Sequence, residues 1–179
     1  GIVDKYVDYV LEDLTKHVDK LIVVCNGQLN ERGRKTFEKF TGNIIVRENK
    51  GFDVWAYKTA IDSEGWNKLI EYDEIILMNY TIMGPVYPLK EMFDIMDKRL
   101  ELDFWGITKC FQENSPVAQQ IWQCPYGYIP EHIQSSFMAF RRSIVSSTIF
   151  QKYWDEMPMI KSYYESGGSH EQYITKYFS

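Results

Sequence analysis

Apolar side chains recur at spacings of three and four near the start of the chain. Val3, Tyr6, Val7, Val10, Leu11 and Leu14 share one stripe, which predicts an amphipathic helix over residues 2–15. The β-branched run Leu21-Ile22-Val23-Val24-Cys25 ends at Asn26-Gly27 and predicts a strand covered on both faces. Asn30 is placed to cap a second helix that carries Phe37 and Phe40 inward. Ile44-Ile45-Val46 predicts the next strand. A tight turn at Asn49-Lys50-Gly51 then leads into a helix striped by Val54, Tyr57 and Ile61.

The alternation continues to the end of the chain. Residues 73–79 predict a strand, and Pro88 stands near the start of a helix lined by Leu89, Met92, Phe93, Met96 and Leu100. Further strands fall at 104–108 and about 136–140, and Ser143 is placed to cap the helix that follows. This order specifies an α/β fold, a three-layer sandwich with a mostly parallel sheet whose ligands gather at the carboxyl ends of the strands. Residues 109–131 hold Pro116, Pro125, Gly127 and Pro130, too long and broken a stretch for an ordinary connection. Such segments are commonly lids or binding loops.

A length of 179 residues predicts one globular domain, and 45% hydrophobic with 25% charged residues is ordinary for a folded chain. Twenty Lys and Arg against 25 Asp and Glu give a net charge of −5, which argues against a broad grip on nucleic acid. No apolar run approaches the roughly 20 residues that span a bilayer, and Gly1-Ile2-Val3-Asp4-Lys5-Tyr6 lacks the pattern of a secretory leader. Cys25, Cys110 and Cys124 form neither a CxxC pair nor an even disulfide framework, so a reducing cytoplasm is the simplest home; a Cys110–Cys124 bridge is the competing reading. With only His17, His132 and His170, and no zinc spacing or nucleophile elbow, hydrolases and zinc enzymes drop in rank.

Three segments could carry chemistry. In Arg47-Glu48-Asn49-Lys50-Gly51-Phe52-Asp53, a glycine between strand and helix exposes the helix N-terminus to an anion, with Arg47 and Lys50 beside it. A diphosphate site is one reading; the other leaves Gly51 as a turn and Asp53 as a cap. Asn79-Tyr80-Thr81 ends a buried strand, where Asn79 and Thr81 could offer oxygens to a ribose or a metal. Without a carboxylate they would hold a divalent ion poorly. In Ser169-His170-Glu171-Gln172, Ser169 and Gln172 have the spacing of a capping box. Glu171 would be either a first-turn acid or a general base beside a Gly167-Gly168 hinge, with His170 as its substitute. Trp122, Tyr126 and Tyr128 lie in the long loop, placed to stack on a sugar or to pack on their own domain.

With these pieces in order, the sequence resembles the rhamnan synthesis protein F family of bacterial surface polysaccharide synthesis. The resemblance rests on the 47–53 motif with Ala56-Tyr57-Lys58, on Asp73-Glu74-Ile75-Ile76-Leu77-Met78-Asn79, on Gly84-Pro85-Val86-Tyr87-Pro88-Leu89 and on Asp103-Phe104-Trp105-Gly106. His132-Ile133-Gln134-Ser135-Ser136-Phe137 and Glu171 with Ile174-Thr175 complete it. It implies a nucleotide-diphospho-sugar transferase fold of the glycosyltransferase A type. It also implies a nucleotide diphosphate sugar as donor, rhamnose or a related deoxyhexose as the sugar, and a glycan acceptor. The chain resembles the wider inverting glycosyltransferases of that fold as well: Asn49-Lys50-Gly51 matches their nucleotide-holding turn and Glu171 their late carboxylate base. Asn79-Tyr80-Thr81 departs from the acidic triplet that binds magnesium or manganese in related enzymes, so cationic side chains would take over most of the metal's role. The chain opens on a helix where such folds open on a strand, as in a fragment of a longer protein lacking the first strand.

The expectation is thus a cytoplasmic glycosyltransferase domain spanning 1–179, brought to the inner face of the membrane where its acceptor is carried on lipid. Glu171 serves as base, with Arg47, Asn49, Lys50, Gly51, Asp53, Asn79 and Thr81 around the donor. The alternative is a non-catalytic module of the same fold for glycan recognition or polysaccharide assembly, which the neutral triplet favours. A nicotinamide-binding domain ranks below both for want of GxGxxG.

Overall fold

The structure, a computed structural model, describes residues 3–179. Gly1 and Ile2, with which the first predicted helix and the leader reading begin, lie outside the described residues. The chain opens with helix α1 (Lys5–Leu14), strand β1 (Val23–Asn26), helix α2 (Glu31–Phe37) and strand β2 (Ile44–Arg47). Helices α3 (Phe52–Glu64) and α4 (Trp66–Leu69) lead to β3 (Glu74–Met78) and α5 (Leu89–Met96). Then come β4 (Phe104–Gly106), β5 (Lys109–Cys110), α6 (Pro116–Trp122), β6 (His132–Ile133) and β7 (Phe137–Arg141). The chain closes with α7 (Arg142–Val145), α8 (Thr148–Asp155), α9 (Tyr163–Ser166), a π-helical turn (Gly167–Glu171) and α10 (Gln172–Phe178). No helix among the described residues is long and apolar enough to cross a membrane.

These elements divide into two compact units. The first runs to Asn49 and takes in Tyr80–Leu102. Its strands β1 and β2 pair in parallel, Val23 opposite Ile44. Every position of β1 is only half-buried, where the apolar run predicted cover on both faces. A two-stranded ribbon leaves each strand an unpaired edge, and a run of apolar residues does not reveal that. Val10, Leu11 and Leu14 of α1 and Phe37 of α2 are buried, and the Asn30 side chain caps α2, accepting from the Gly33 N–H at 2.8 Å. Leu100 does not line a helix; it lies beyond α5 and is exposed.

The second unit comprises Lys50–Asn79 and Asp103–Ser179. Its sheet has the order β3-β7-β4, with β7 antiparallel to both neighbours. The predicted mostly parallel sheet is therefore corrected: among the described strands only β1 and β2 run parallel. Phe137-Met138-Ala139-Phe140 is fully buried, as its unbroken apolar character implies. That character reports cover on both faces and says nothing of direction. Val54, Tyr57 and Ile61 from α3, Phe150 and Trp154 from α8, and Ile174 from α10 pack into one core with the sheet.

The 109–131 segment is ordered: it opens with β5, which pairs antiparallel with β6 just beyond it, carries α6 and closes through a Glu113–Ile129 bridge. All three cysteines are free, so no Cys110–Cys124 bridge forms. Two predicted caps fall elsewhere. Ser143 lies inside α7 and donates to Asp103 Oδ1 at 2.5 Å, while Ser147 caps α8. Ser169 caps nothing, because α9, the π turn and α10 run on without a break from a cap at Ser162.

Candidate functional site

The site begins at the elbow before α3. Gly51 (φ 75°) and Phe52 (φ 57°) both adopt left-handed backbone, and a Cβ on Gly51 would lie 2.4 Å from Cγ of Trp55. Conformation and space alike demand glycine there. Gly51 itself occupies the N-cap position, which overturns the reading of Asp53 as the cap. Asp53 sits in the first turn, where Oδ1 accepts from its neighbour Val54 N–H at 3.0 Å and Oδ2 accepts from Asn79 Nδ2 at 2.9 Å.

Asn79 follows β3 directly, and its N–H donates to the Ser136 carbonyl at 3.1 Å, carrying the β3–β7 pairing past the strand end. Its side chain also hydrogen-bonds Tyr57, one helical turn beyond Asp53. The Tyr57 hydroxyl donates to the Ser135 carbonyl at 2.8 Å. Burial pushes this phenol well above its ordinary pKa, and the Asp53 and Glu171 carboxylates add to the rise. Ser135 in turn holds Glu171: its N–H and hydroxyl both donate to Oε2, at 2.8 and 2.7 Å. A continuous chain, Asp53–Asn79–Tyr57–Ser135–Glu171, thus ties the elbow to the π turn within the second unit. The half-buried Cys110 thiol lies within the same field; burial, then Glu171, raises its pKa.

Of the residues singled out in the sequence, Gly51, Asp53, Asn79 and Glu171 come together here, and the exposed Lys50 opens the same unit. Arg47, Asn49 and Thr81 belong to the first unit. Arg47 donates to Asn26 Oδ1 at 2.6 Å across the β1–β2 pair, and burial lowers its pKa; Asn49 and Thr81 are exposed. His170 turns to different company, its Nδ1 lying 2.6 Å from the Tyr153 hydroxyl. Gly167-Gly168 is no hinge: Cβ atoms there would strike the Trp122 ring at 2.3 Å and the Trp122 carbonyl oxygen at 1.8 Å. Trp122 packs against Tyr163 and Tyr164, and Tyr126 stacks on Tyr173. Tyr128 bonds Lys176. All three loop aromatics therefore pack on their own domain.

The Asp53 carboxylate beside Asn79 faces that residue's amide nitrogen, a donor. Among the described residues no group of three or more His, Cys, Asp and Glu side chains is placed to hold a metal ion. This donor set does not fit magnesium or manganese, which take several oxygens. Tyr57 and Ser135 were missed as site residues. The signals were there: Asp53 and Tyr57 share a helix face at i and i+4, and Ser135-Ser136 is a polar pair immediately before a fully buried strand.

The sequence pattern described as rhamnan synthesis protein F matches residues 21–179. The chain belongs to this family. The match spans both units and every residue of the site chain. An uncharacterized protein of Sinorhizobium fredii, y4gN, is 23% identical over 150 residues, covering 83% of this chain and 35% of that protein. The chain therefore spans about a third of that relative's length. No solved structure matches.

Proposed function

We propose that the chain is a glycosyltransferase domain that moves a sugar, rhamnose or a related deoxyhexose, from a nucleoside diphosphate donor to a bacterial surface polysaccharide. The observation that carries this reading is the fixed Glu171 carboxylate. Ser135 holds Oε2 with two hydrogen bonds, so the group is oriented while Oε1 is left to a substrate hydroxyl. In the step proposed, Glu171 takes the proton of the acceptor hydroxyl as its oxygen forms the new bond to the anomeric carbon. The bond from that carbon to the diphosphate oxygen breaks, and the diphosphate leaves with the electron pair. Lys50 and the first-turn N–H groups of α3 offset the charge that develops on it. Asp53, held by Asn79, accepts a donor hydroxyl. The step uses residues of the second unit alone and no metal.

The test is turnover of a panel of nucleoside diphosphate sugars by the full-length protein with rhamnose oligosaccharides as acceptors. Glu171→Gln should lower kcat by about 10²–10⁴, the usual worth of a general base, with donor affinity unchanged. Ser135→Ala, at a positioning residue, should lower kcat while leaving KM in place. Full turnover in Glu171→Gln would refute the assignment. The neutral Asn79-Tyr80-Thr81 triplet favours a second reading, a non-catalytic glycan-recognition or assembly module. It predicts no turnover in the wild type and glycan binding indifferent to Glu171→Gln.

A further inference from the structure

Strand β6 and the residues that follow it have two edges, which are satisfied in different ways. On one edge β6 pairs with β5, and the Gln134 N–H donates to the Thr108 carbonyl at 3.0 Å, continuing that pairing. Successive N–H groups of an extended chain point to opposite sides, so those of Ile133 and Ser135 face away from β5. No strand among the described residues pairs there. Side chains of the closing helical stretch take the place of a strand. Thr175 Oγ1 accepts from the Ile133 N–H at 2.9 Å, and Glu171 Oε2 accepts from the Ser135 N–H at 2.8 Å.

The two spacings match. Glu171 closes the π turn and Thr175 lies one turn into α10, four residues on, a rise of about 6 Å on one helix face. Ile133 and Ser135 are two apart in extended chain, which spans about 6.6–6.8 Å. Residues i and i+4 of a helix can therefore address alternate N–H groups along a strand edge. One residue more or fewer before them would turn both side chains by about 100°, off the edge together. Ile174, 1% exposed, anchors α10 in the core beside Thr175. Apolar contact is non-directional and sets the depth of the helix; a hydrogen bond is directional and sets its roll. Thr175 bonds backbone and not the carboxylate, so its effect on Glu171 passes through the way the helix lies.

We infer that Thr175 is a positioning residue for Glu171: its hydroxyl fixes the roll of α10 against the β6 edge, so that both Ser135 donors meet Oε2 and Oε1 is left open. That the open oxygen acts as a base rests on the glycosyl-transfer reading; its placement by Thr175 does not. The test has two arms on the full-length protein. Thr175→Val keeps the β-branched shape and removes the hydroxyl, Thr175→Ser keeps the hydroxyl, and Thr175→Ala removes it with a gain in helix propensity that protects the fold. In the first arm, amide hydrogen exchange compares Ser135 with the β3 and β7 amides as internal reference. Ser135 should exchange about fivefold faster relative to that reference in Thr175→Val and Thr175→Ala, the net worth of one hydrogen bond, and at the wild-type rate in Thr175→Ser. Unchanged Ser135 exchange, or equal acceleration throughout the sheet, would overturn the assignment, the latter because it marks a plain loss of stability. In the second arm, Thr175→Val should lower kcat with KM in place, and should lower it no further in the Glu171→Gln background. A loss that adds to that of Glu171→Gln would put the action of Thr175 elsewhere and would also overturn the assignment. A failure of the catalytic reading shows separately, as an inactive wild type in which Ser135 exchange still follows the Thr175 hydroxyl.

Discussion

At the scale of single residues, His170 sets a condition on stability. Burial pushes its pKa from 6.5 down to about 3, so the folded protein keeps a neutral imidazole where an unfolded chain would take up a proton. Between those two values the unfolded state holds the extra proton. Stability therefore falls as pH drops from about 6.5 towards 3, by up to about 1.4 kcal/mol per pH unit. Calorimetric melting of wild type and His170→Phe from pH 7 to pH 4 isolates this effect, because the carboxylates titrate alike in both. The wild type should lose more stability on acidification; parallel curves would contradict the burial argument. Little of this was legible in the sequence, where His170 reads as a substitute base beside Glu171 at a helix start. Burial is a property of what packs on a residue, and its neighbours Tyr153 and Trp154 come from α8.

At the scale of elements, the π turn is where the closing helical stretch packs on α6. The Gly168 Cβ position collides with backbone, the Trp122 carbonyl, whereas the Gly167 position collides with the Trp122 ring. A ring can tilt and a carbonyl in a helix cannot. Overpacking of this kind costs about 1–3 kcal/mol, so Gly168→Ala belongs at or above the upper end and Gly167→Ala near the lower. Urea unfolding of the two variants should rank them in that order. Equal losses would mean that the chain relaxes freely here, as a hinge would. The hydrophobic period made the strands and longer helices legible, since buried positions must repeat with the element's geometry. Direction and continuity were not legible in the same way. The β7 run is equally apolar whichever way it points, and Gly167-Gly168 looks like a break to local propensity although α6 packs closely on it. The Gly51 elbow was readable because a positive φ leaves a mark in residue type; the link through Tyr57 and Ser135 was not, because it joins residues 78 apart.

At the scale of the whole molecule, the two units bury very different amounts of apolar surface. The aromatic and aliphatic core that joins α3, α8 and α10 to the sheet lies wholly in the second unit. The first unit buries Val10, Leu11, Leu14 and Phe37, while its Tyr80, Met83, Val86 and Tyr87 are each more than 70% exposed. Full burial of such a side chain contributes about 1.5–3 kcal/mol, so the first unit has much less holding it together. Hydrogen exchange should show β1 and β2 amides opening well before those of β3, β7 and β4. Matching protection in the two sheets would contradict this. All five tryptophans, Trp55, Trp66, Trp105, Trp122 and Trp154, belong to the second unit. Indole emission is therefore blind to the first unit, while far-ultraviolet ellipticity sees both. On heating, ellipticity should begin to fall while emission holds steady, so two ordinary optical signals recorded together would give a separate melting curve for each half of the chain.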